Sequence, residues 1–146
     1  GKHPHAQVAI EWLENHYAKK HEKLADFNLD LILALKEKLG IKTEIKKASE
    51  LPLSGKAQGG TEVTLEICKA CGADTYLSGS GAKAYLKTEE YDKAGIKVIY
   101  QKFIHPEYTQ FKGNEFAAYL SILDLYLNHG PESLKHILKG NWDRID

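Results

Sequence analysis

Two short segments of the chain carry residue types that could bind or transform a small molecule. The first, residues 74–84 (DTYLSGSGAKA), matches a G-x-G-x-x-A pattern between a predicted strand and a predicted helix. Glycines in such a turn let backbone N–H groups approach an anion at a helix N-terminus. Two interpretations stay open: a bound phosphate or carboxylate, or a purely structural turn.

The second segment is His105-Pro106-Glu107-Tyr108-Thr109-Gln110, which directly follows the clearest strand pattern in the chain. His105 could act as a general base or hydrogen-bond a ligand, and Glu107 could assist it. The alternative is a loop histidine whose hydrogen bonds are satisfied within its own turn.

Three other motifs give little support to the function that their residue types suggest. A dinucleotide fold needs an acidic residue about 20 positions after the glycines, whereas the end of the next strand offers Gln101 and Lys102. The C-x-x-C pair Cys68 and Cys71 lies at the C-terminal end of a predicted helix, the wrong end for a redox pair. Ser80 lacks the G-x-S-x-G context of a nucleophile. We expect no metal and no cofactor.

The N-terminal segment contains four histidines, for which a solvated helix surface is the simplest explanation. They are His3, His5, His16 and His21.

Length and composition narrow the function classes. The 146 residues suit a single domain over residues 1–146, and 20 acidic residues balance 20 basic ones. A neutral chain lacks the basic face that a nucleic-acid polymer would require. We expect a cytoplasmic protein that neither enters a membrane nor forms disulfides. Because the chain opens with Gly1 and has no methionine, we also expect a piece of a longer protein.

The hydrophobic pattern predicts the α/β class, as a small three-layer domain with a short parallel β-α-β-α-β core and extra N- and C-terminal helices. Predicted strands cover residues 41–45 (a weak signal), 74–78 and 96–100. Predicted helices end near Lys20 and at Gly40, cover 61–68 (stopped by Gly72) and 82–94 (with a second start at Thr88), and run from Pro131 to Gly140. Ser121 and Asp124 resemble a capping box for a further helix over 122–128, and a start near Phe116 is the alternative.

Parallel pairing has a consequence for the position of a site. The carboxyl ends of parallel strands meet at one edge of a sheet, where ligands commonly bind. Three polar loops, residues 47–60, 79–81 and 101–115, follow the three predicted strands. We therefore expect residues 78–83 and 101–110 to meet along one rim.

The run from Leu65 to Leu86 (LEICKACGADTYLSGSGAKAYL) resembles the central motif of the WbqC-like protein family. Three later stretches fit the same pattern in order: Ala94-Gly95-Ile96, His105-Pro106-x-Tyr108-x-Gln110, and Leu120-Ser121-Ile122-x-Asp124-Leu125 with Asn128 and Gly130. The chain lacks the N-terminal His-Gln-Pro-x-Tyr-type motif that family members usually carry. The missing motif opens the possibility of a domain that binds without catalysing.

The resemblance implies a transferase of surface-polysaccharide (O-antigen type) biosynthesis, of the aminoacyl, glycyl or acyl kind. A non-catalytic domain that binds a nucleotide, sugar or amino acid is the alternative. The expected partner is a small molecule: a sugar, a nucleotide-sugar or an aminoacyl donor. We take His105 and Asp74 as candidate catalytic residues. The candidate ligand-binding residues are Ser78, Gly79, Ser80, Gly81, Lys83, Tyr85, Tyr108 and Gln110.

Overall fold

The computed structural model describes residues 3–111, 115–139 and 141. The chain forms two compact units. The helical unit comprises Gly1–Thr43 and Ile104–Trp142, and the sheet unit comprises Glu44–Phe103 and Asp143–Asp146. That residues 1–146 behave as one domain stays a prediction.

The described elements are six α-helices and two short strands. In chain order they are α1 (Ala6–Ala18), α2 (Leu24–Lys38), α3 (Gly60–Ala70), β1 (Thr75–Gly79), α4 (Thr88–Lys93), β2 (Lys97–Gln101), α5 (Ile122–His129) and α6 (Ser133–Leu138). Short 3₁₀ turns cover Ala48–Glu50, Ser80–Ala84 and Gly130–Glu132. In the part of the chain that is described, no helix combines the length and apolar character needed to span a bilayer.

The helical unit packs around Ala9 and Trp12 of α1, together with Leu39 and Tyr126. The rings of Trp12 and Tyr126 meet edge to face, with centroids 6.3 Å apart. The N-terminus of α5 is capped by Ser121, whose Oγ accepts a hydrogen bond from the N–H of Leu123. The sequence pattern therefore predicted this cap correctly.

Residues 41–45 form no strand, so the three-stranded core is not confirmed. The reason lies in how α2 ends. Gly40 adopts a φ of +70°, and its N–H and that of Ile41 donate to the carbonyls of Glu37 and Lys36. This is a Schellman ending, in which the residue after the glycine supplies an apolar contact. Ile41 accordingly packs on the helical core instead of starting a strand.

The sheet unit contains a parallel β-α-β arrangement, as predicted. β1 and β2 pair in parallel, with Thr75 opposite Lys97 and Gly79 opposite Gln101. The predicted helix over 82–94 is two pieces, a 3₁₀ turn and then α4, which begins at the predicted Thr88. Both strands thus end at the same edge of this two-stranded sheet.

The core of the sheet unit is built on Tyr91 of α4, which is fully buried with Cys68 and Ile96. The ring of Tyr91 stacks on that of Tyr76 from β1, with centroids 5.4 Å apart. Its hydroxyl shares a 2.5 Å hydrogen bond with the hydroxyl of Thr64 on α3. The crossover helix α4 is thereby packed on β1 and hydrogen-bonded to α3.

Candidate functional site

The candidate site in the helical unit centres on the carboxylate of Asp124, in the first turn of α5. Its Oδ2 accepts a 2.8 Å hydrogen bond from the Tyr108 hydroxyl and a 3.3 Å hydrogen bond from the Gln110 side-chain amide. Tyr108 is buried and Gln110 is half-buried. A carboxylate with two donors on one oxygen is a preorganised polar centre, and its Oδ1 carries no described hydrogen bond.

Gln110 also fastens the irregular backbone that precedes α5, residues 115–121, which we call the 115–121 loop. Its Nε2 donates to the carbonyl of Ala117 at 2.8 Å, and its Oε1 accepts from the N–H of Ala117 at 2.9 Å. One amide side chain therefore satisfies both backbone groups of a residue outside regular secondary structure.

His105 holds the same loop two residues further on. Its Nε2 accepts the N–H of Tyr119 at 3.1 Å. An acceptor nitrogen carries no proton, so in the neutral ring the proton must be on Nδ1. Nδ1 is buried and makes no hydrogen bond within the described residues. In this arrangement His105 orients backbone and does not present a free basic nitrogen.

Aromatic rings surround this polar centre. The ring of His105 lies 5.0 Å from Tyr119 and 6.1 Å from Phe116, and Phe116 meets Tyr108 edge to face at 5.4 Å. Tyr108 also meets His129 at 5.7 Å. Burial is the main cause that raises the pKa of the Tyr108 hydroxyl above its ordinary value, and the Asp124 carboxylate adds to it.

A pair of histidine rings lies beside Tyr108. His129 and His136 have ring centroids 4.1 Å apart, and the Nε2 of His129 lies 3.1 Å from the carbonyl oxygen of Thr109. Burial lowers the pKa of His136, and the neighbouring His129 lowers it further. The His136 ring is therefore harder to protonate than an ordinary histidine.

In the sheet unit, the predicted glycine turn begins a 3₁₀ turn and not an α-helix. Gly79 has an ordinary φ of −70°, and a Cβ at either Gly79 or Gly81 would meet no atom within 4 Å. Neither crowding nor a left-handed backbone requires a glycine at these two positions. The open space leaves room for a ligand to approach the backbone, and anion binding there stays a prediction.

The remaining candidates of the sheet unit differ in exposure. Ser78 is buried, and its Oγ donates a 3.4 Å hydrogen bond to the carbonyl of Gly79. The Lys83 ammonium lies 4.9 Å from the centre of the Tyr100 ring, a cation–π contact. Ser80, Tyr85 and Asp74 are exposed. Their ligand-binding or catalytic roles stay predictions.

The predicted site residues thus fall into two groups, one in each unit. His105, Tyr108 and Gln110 belong to the helical unit, whereas residues 74–85 belong to the sheet unit. Within the sheet unit, parallel pairing places the ends of β1 and β2 at one edge. That both sets share one rim stays a prediction.

Three residues of the site were missed as functional candidates. The spacing of Ser121 and Asp124 suggested a capping box, but the Asp124 side chain faces Tyr108. Phe116 and Tyr119 lie in a segment without periodicity. The available signal was the family resemblance, which includes Asp124 as a motif position without giving it a role.

The N-terminal histidines are more than a solvated surface, and all four are half-buried. His3 Nδ1 lies 3.2 Å from Asn128 Oδ1, and the His5 ring packs on Gly130. His16 Nδ1 lies 2.7 Å from Asp30 Oδ2, which Lys19 also contacts. Hydrogen bonds from Lys19 and His16, assisted by the charges of the same two residues, lower the pKa of Asp30 to about 2.

Across residues 3–111, 115–139 and 141, no group of three or more His, Cys, Asp or Glu side chains is arranged to hold a metal ion. Of the C-x-x-C pair, Cys68 is buried in the core of the sheet unit, whereas Cys71 is exposed.

Comparison with known proteins gives the chain a family. No solved structure matches it. An uncharacterised protein of Mycobacterium tuberculosis, Rv1507c, is 32% identical over 130 residues, which cover 88% of this chain and 54% of the relative. The chain therefore spans about half the length of the curated relative it matches. The model of the WbqC-like protein family matches residues 1–136. Since this match extends over nearly the whole sequence, the chain belongs to the WbqC-like protein family.

Proposed function

We propose that the chain takes part in an aminoacyl, glycyl or other acyl transfer to an amino sugar, in the cytoplasmic biosynthesis of surface polysaccharide of the O-antigen type. Its partners would be an activated acyl donor and a sugar or nucleotide-sugar acceptor. The observation that carries the proposal is the meeting of Tyr108 and Gln110 on one oxygen of Asp124.

Acyl transfer to nitrogen requires a proton acceptor, because the attacking amine loses a proton. The Asp124 carboxylate is such an acceptor. The Tyr108 hydroxyl and the Gln110 amide donate to its Oδ2 and hold the carboxylate in place before any ligand binds, which leaves Oδ1 to take the proton.

The proposed step balances as follows. The amine nitrogen of the acceptor attacks the acyl carbon and forms the C–N bond, while the bond from that carbon to the oxygen or sulfur of the donor breaks. Asp124 takes the proton from nitrogen and returns it to the departing alkoxide or thiolate. Neither oxidant nor reductant is needed, and the products are an amide and the free alcohol or thiol.

The alternative is a domain that binds the same small molecules without transforming them. It is favoured by the hydrogen bond from the Tyr119 N–H to His105, which occupies the nitrogen that a general base would use. The predicted catalytic role of His105 would require this bond to break first.

Turnover by the intact protein tests the proposal. Purified protein would be incubated with glycyl or acetyl thioesters and, as acceptor, either with free glucosamine or with a uridine-diphosphate amino sugar, and the mass gain of the sugar would be followed. We expect Asp124→Asn to lower turnover by about 100-fold or more, because general acid–base groups contribute that much. Tyr108→Phe should lower it less, and Asp92→Asn, which changes an exposed carboxylate of α4, should leave it unchanged.

Circular dichroism and thermal unfolding would show that each variant is folded. Turnover that survives in folded Asp124→Asn would rule out Asp124 as the proton acceptor. Sugar binding without transfer in the unaltered protein would favour the alternative.

A further inference from the structure

Tyr119 combines two properties that rarely occur together. It is the one non-glycine residue in the described part of the chain with a positive φ, +60°. Its side chain is 86% exposed. For a residue with a bulky side chain the left-handed region is sterically unfavourable. Apart from its edge contact with the ring of His105, the exposed Tyr119 ring gains little from packing.

The strained backbone is nevertheless fixed on both sides. Gln110 bonds both backbone groups of Ala117, His105 accepts the Tyr119 N–H, and the Ser121 side chain caps α5 directly afterwards. The 115–121 loop is therefore organised without regular secondary structure. Strained residues that the surroundings hold in place occur preferentially at ligand sites.

We propose that Tyr119 is the surface on which the ring of a neutral or amino sugar stacks, and that His105 is the positioning residue that holds it. This deepens the proposed function and rests on it. An aromatic face suits the C–H face of a pyranose, and a rigid tyrosine loses little conformational entropy on binding.

The charges of the surrounding segment favour a sugar without phosphate over a nucleotide. Residues 104–124 contain three carboxylates, those of Glu107, Glu115 and Asp124, against a single lysine, Lys112. Phosphates require cationic or N–H-rich surroundings. Carboxylates instead accept hydrogen bonds from sugar hydroxyls and attract a protonated amine.

His105 can hold Tyr119 only as an acceptor. Its Nε2 lone pair receives the backbone N–H, so the side chain that replaces it must also carry an acceptor at that place. Glutamine offers an amide oxygen of similar reach, whereas alanine offers none. Comparing these two substitutions therefore shows whether His105 positions Tyr119 through its hydrogen bond or only fills space.

Saturation-transfer NMR on the intact protein tests the proposal with three probes: glucosamine, N-acetylglucosamine and uridine monophosphate. We expect saturation of the sugar ring protons of at least one of the first two. Tyr119→Ala should weaken sugar binding by about tenfold, the value of a good aromatic contact. Tyr119→Trp should retain binding. Tyr17→Ala, which removes a 67% exposed tyrosine from α1 of the same unit, is the matched control and should bind normally.

Two further variants probe the loop itself. His105→Ala should weaken sugar binding about as much as Tyr119→Ala, and His105→Gln should restore most of it. Tyr119→Gly should raise the midpoint of thermal unfolding by a few degrees while abolishing binding, because glycine accepts the positive φ without strain.

Four outcomes would overturn the proposal: no sugar bound by the unaltered protein, equal binding by Tyr119→Ala, saturation of uridine monophosphate alone, or a lower unfolding midpoint for Tyr119→Gly. Failure here is distinguishable from failure of the proposed function. If Asp124→Asn abolishes transfer while Tyr119→Ala leaves it intact, only the stacking role falls.

Discussion

The hydroxyl of Tyr108 donates to Asp124 Oδ2 across 2.8 Å, joining a loop that follows β2 to the first turn of α5. The two residues are 16 positions apart in sequence. Hydrogen bonds to a charged acceptor are stronger than those between neutral groups. This contact therefore fixes the geometry of the polar centre.

Replacing Asp124 by asparagine should lower the pKa of Tyr108, because the carboxylate is one of the causes that hold it high. Burial, the larger cause, remains, so the pKa should stay above its ordinary value. Carbon-13 NMR of tyrosine ring carbons across an alkaline titration would measure the change. The pKa of Tyr91, raised mainly by burial in the sheet unit, should not move. A fall at both tyrosines would indicate a global change of structure instead.

Asp30 predicts a dependence of stability on acid pH. Hydrogen bonds from Lys19 and His16 lower its pKa from 3.8 to about 2. A depressed folded-state pKa stabilises the protein above the unfolded value and ceases to do so as pH falls through the folded value. The stabilising contribution of Asp30 should therefore be lost between about pH 4 and pH 2.

Denaturant unfolding at a series of pH values would measure this effect. Asp30→Asn should be less stable than the unaltered protein at pH 6, and the difference should shrink as the pH approaches 2. Glu11→Gln, on the exposed side of α1, is the control and should show no such convergence. A difference that stays constant down to pH 2 would refute the linkage to Asp30.

Gly130 should be among the least replaceable residues of the helical unit. It has a φ of +55°, and an alanine Cβ there would lie 2.7 Å from the ring of His5. We expect Gly130→Ala to reduce the free energy of unfolding by ~2–5 kcal/mol, the sum of backbone strain and overpacking. Gly40→Ala also meets a positive φ, but it meets no neighbouring atom within 4 Å. It should cost only ~1–2 kcal/mol.

Thermal and chemical unfolding of both variants would measure the difference. Adding His5→Ala to Gly130→Ala should recover part of the loss, since the clashing ring is removed. Equal losses for Gly130→Ala and Gly40→Ala would show that the contact with His5 is unimportant.

The glycine turn of the sheet unit should behave in the opposite way. Gly79 has an ordinary φ and open surroundings, so Gly79→Ala should preserve or raise stability, by up to ~1 kcal/mol, through a less disordered unfolded state. Gly95→Ala, at a φ of +72°, should destabilise and serves as the contrast. If the turn binds an anion, Gly79→Ala should weaken binding of inorganic phosphate while stability is kept. Unchanged phosphate binding would favour a purely structural turn.

The sequence predicted correctly those features of the fold that depend on residues close together in the chain, such as helix ends and caps. Gly40 and Gly72 end their helices with positive φ, Ser121 caps α5, and β1 and β2 pair in parallel as alternating helices and strands require. The weak strand at residues 41–45 was wrong because Ile41 serves the end of α2. Alternation of apolar residues over so few positions cannot distinguish a short strand from an apolar residue that completes the end of a helix.

The candidate site was less accessible to sequence reasoning. His105, Tyr108 and Gln110 were recognised as polar residues after a strand, but their partners lie in an aperiodic segment and on the next helix. Asp124 looked like a capping residue because its spacing from Ser121 fits that role. Only the three-dimensional position of Tyr108 shows which way its carboxylate faces.

The contrast between Cys68 and Cys71 provides a chemical probe of the sheet unit. Cys71 is exposed, whereas burial raises the pKa of the Cys68 thiol and shields it from reagents. A maleimide should therefore label Cys71 at once and Cys68 only when the core around Tyr91 opens. The rate of Cys68 alkylation relative to Cys71 would then measure how often that core opens. No additional cysteine has to be introduced for this measurement.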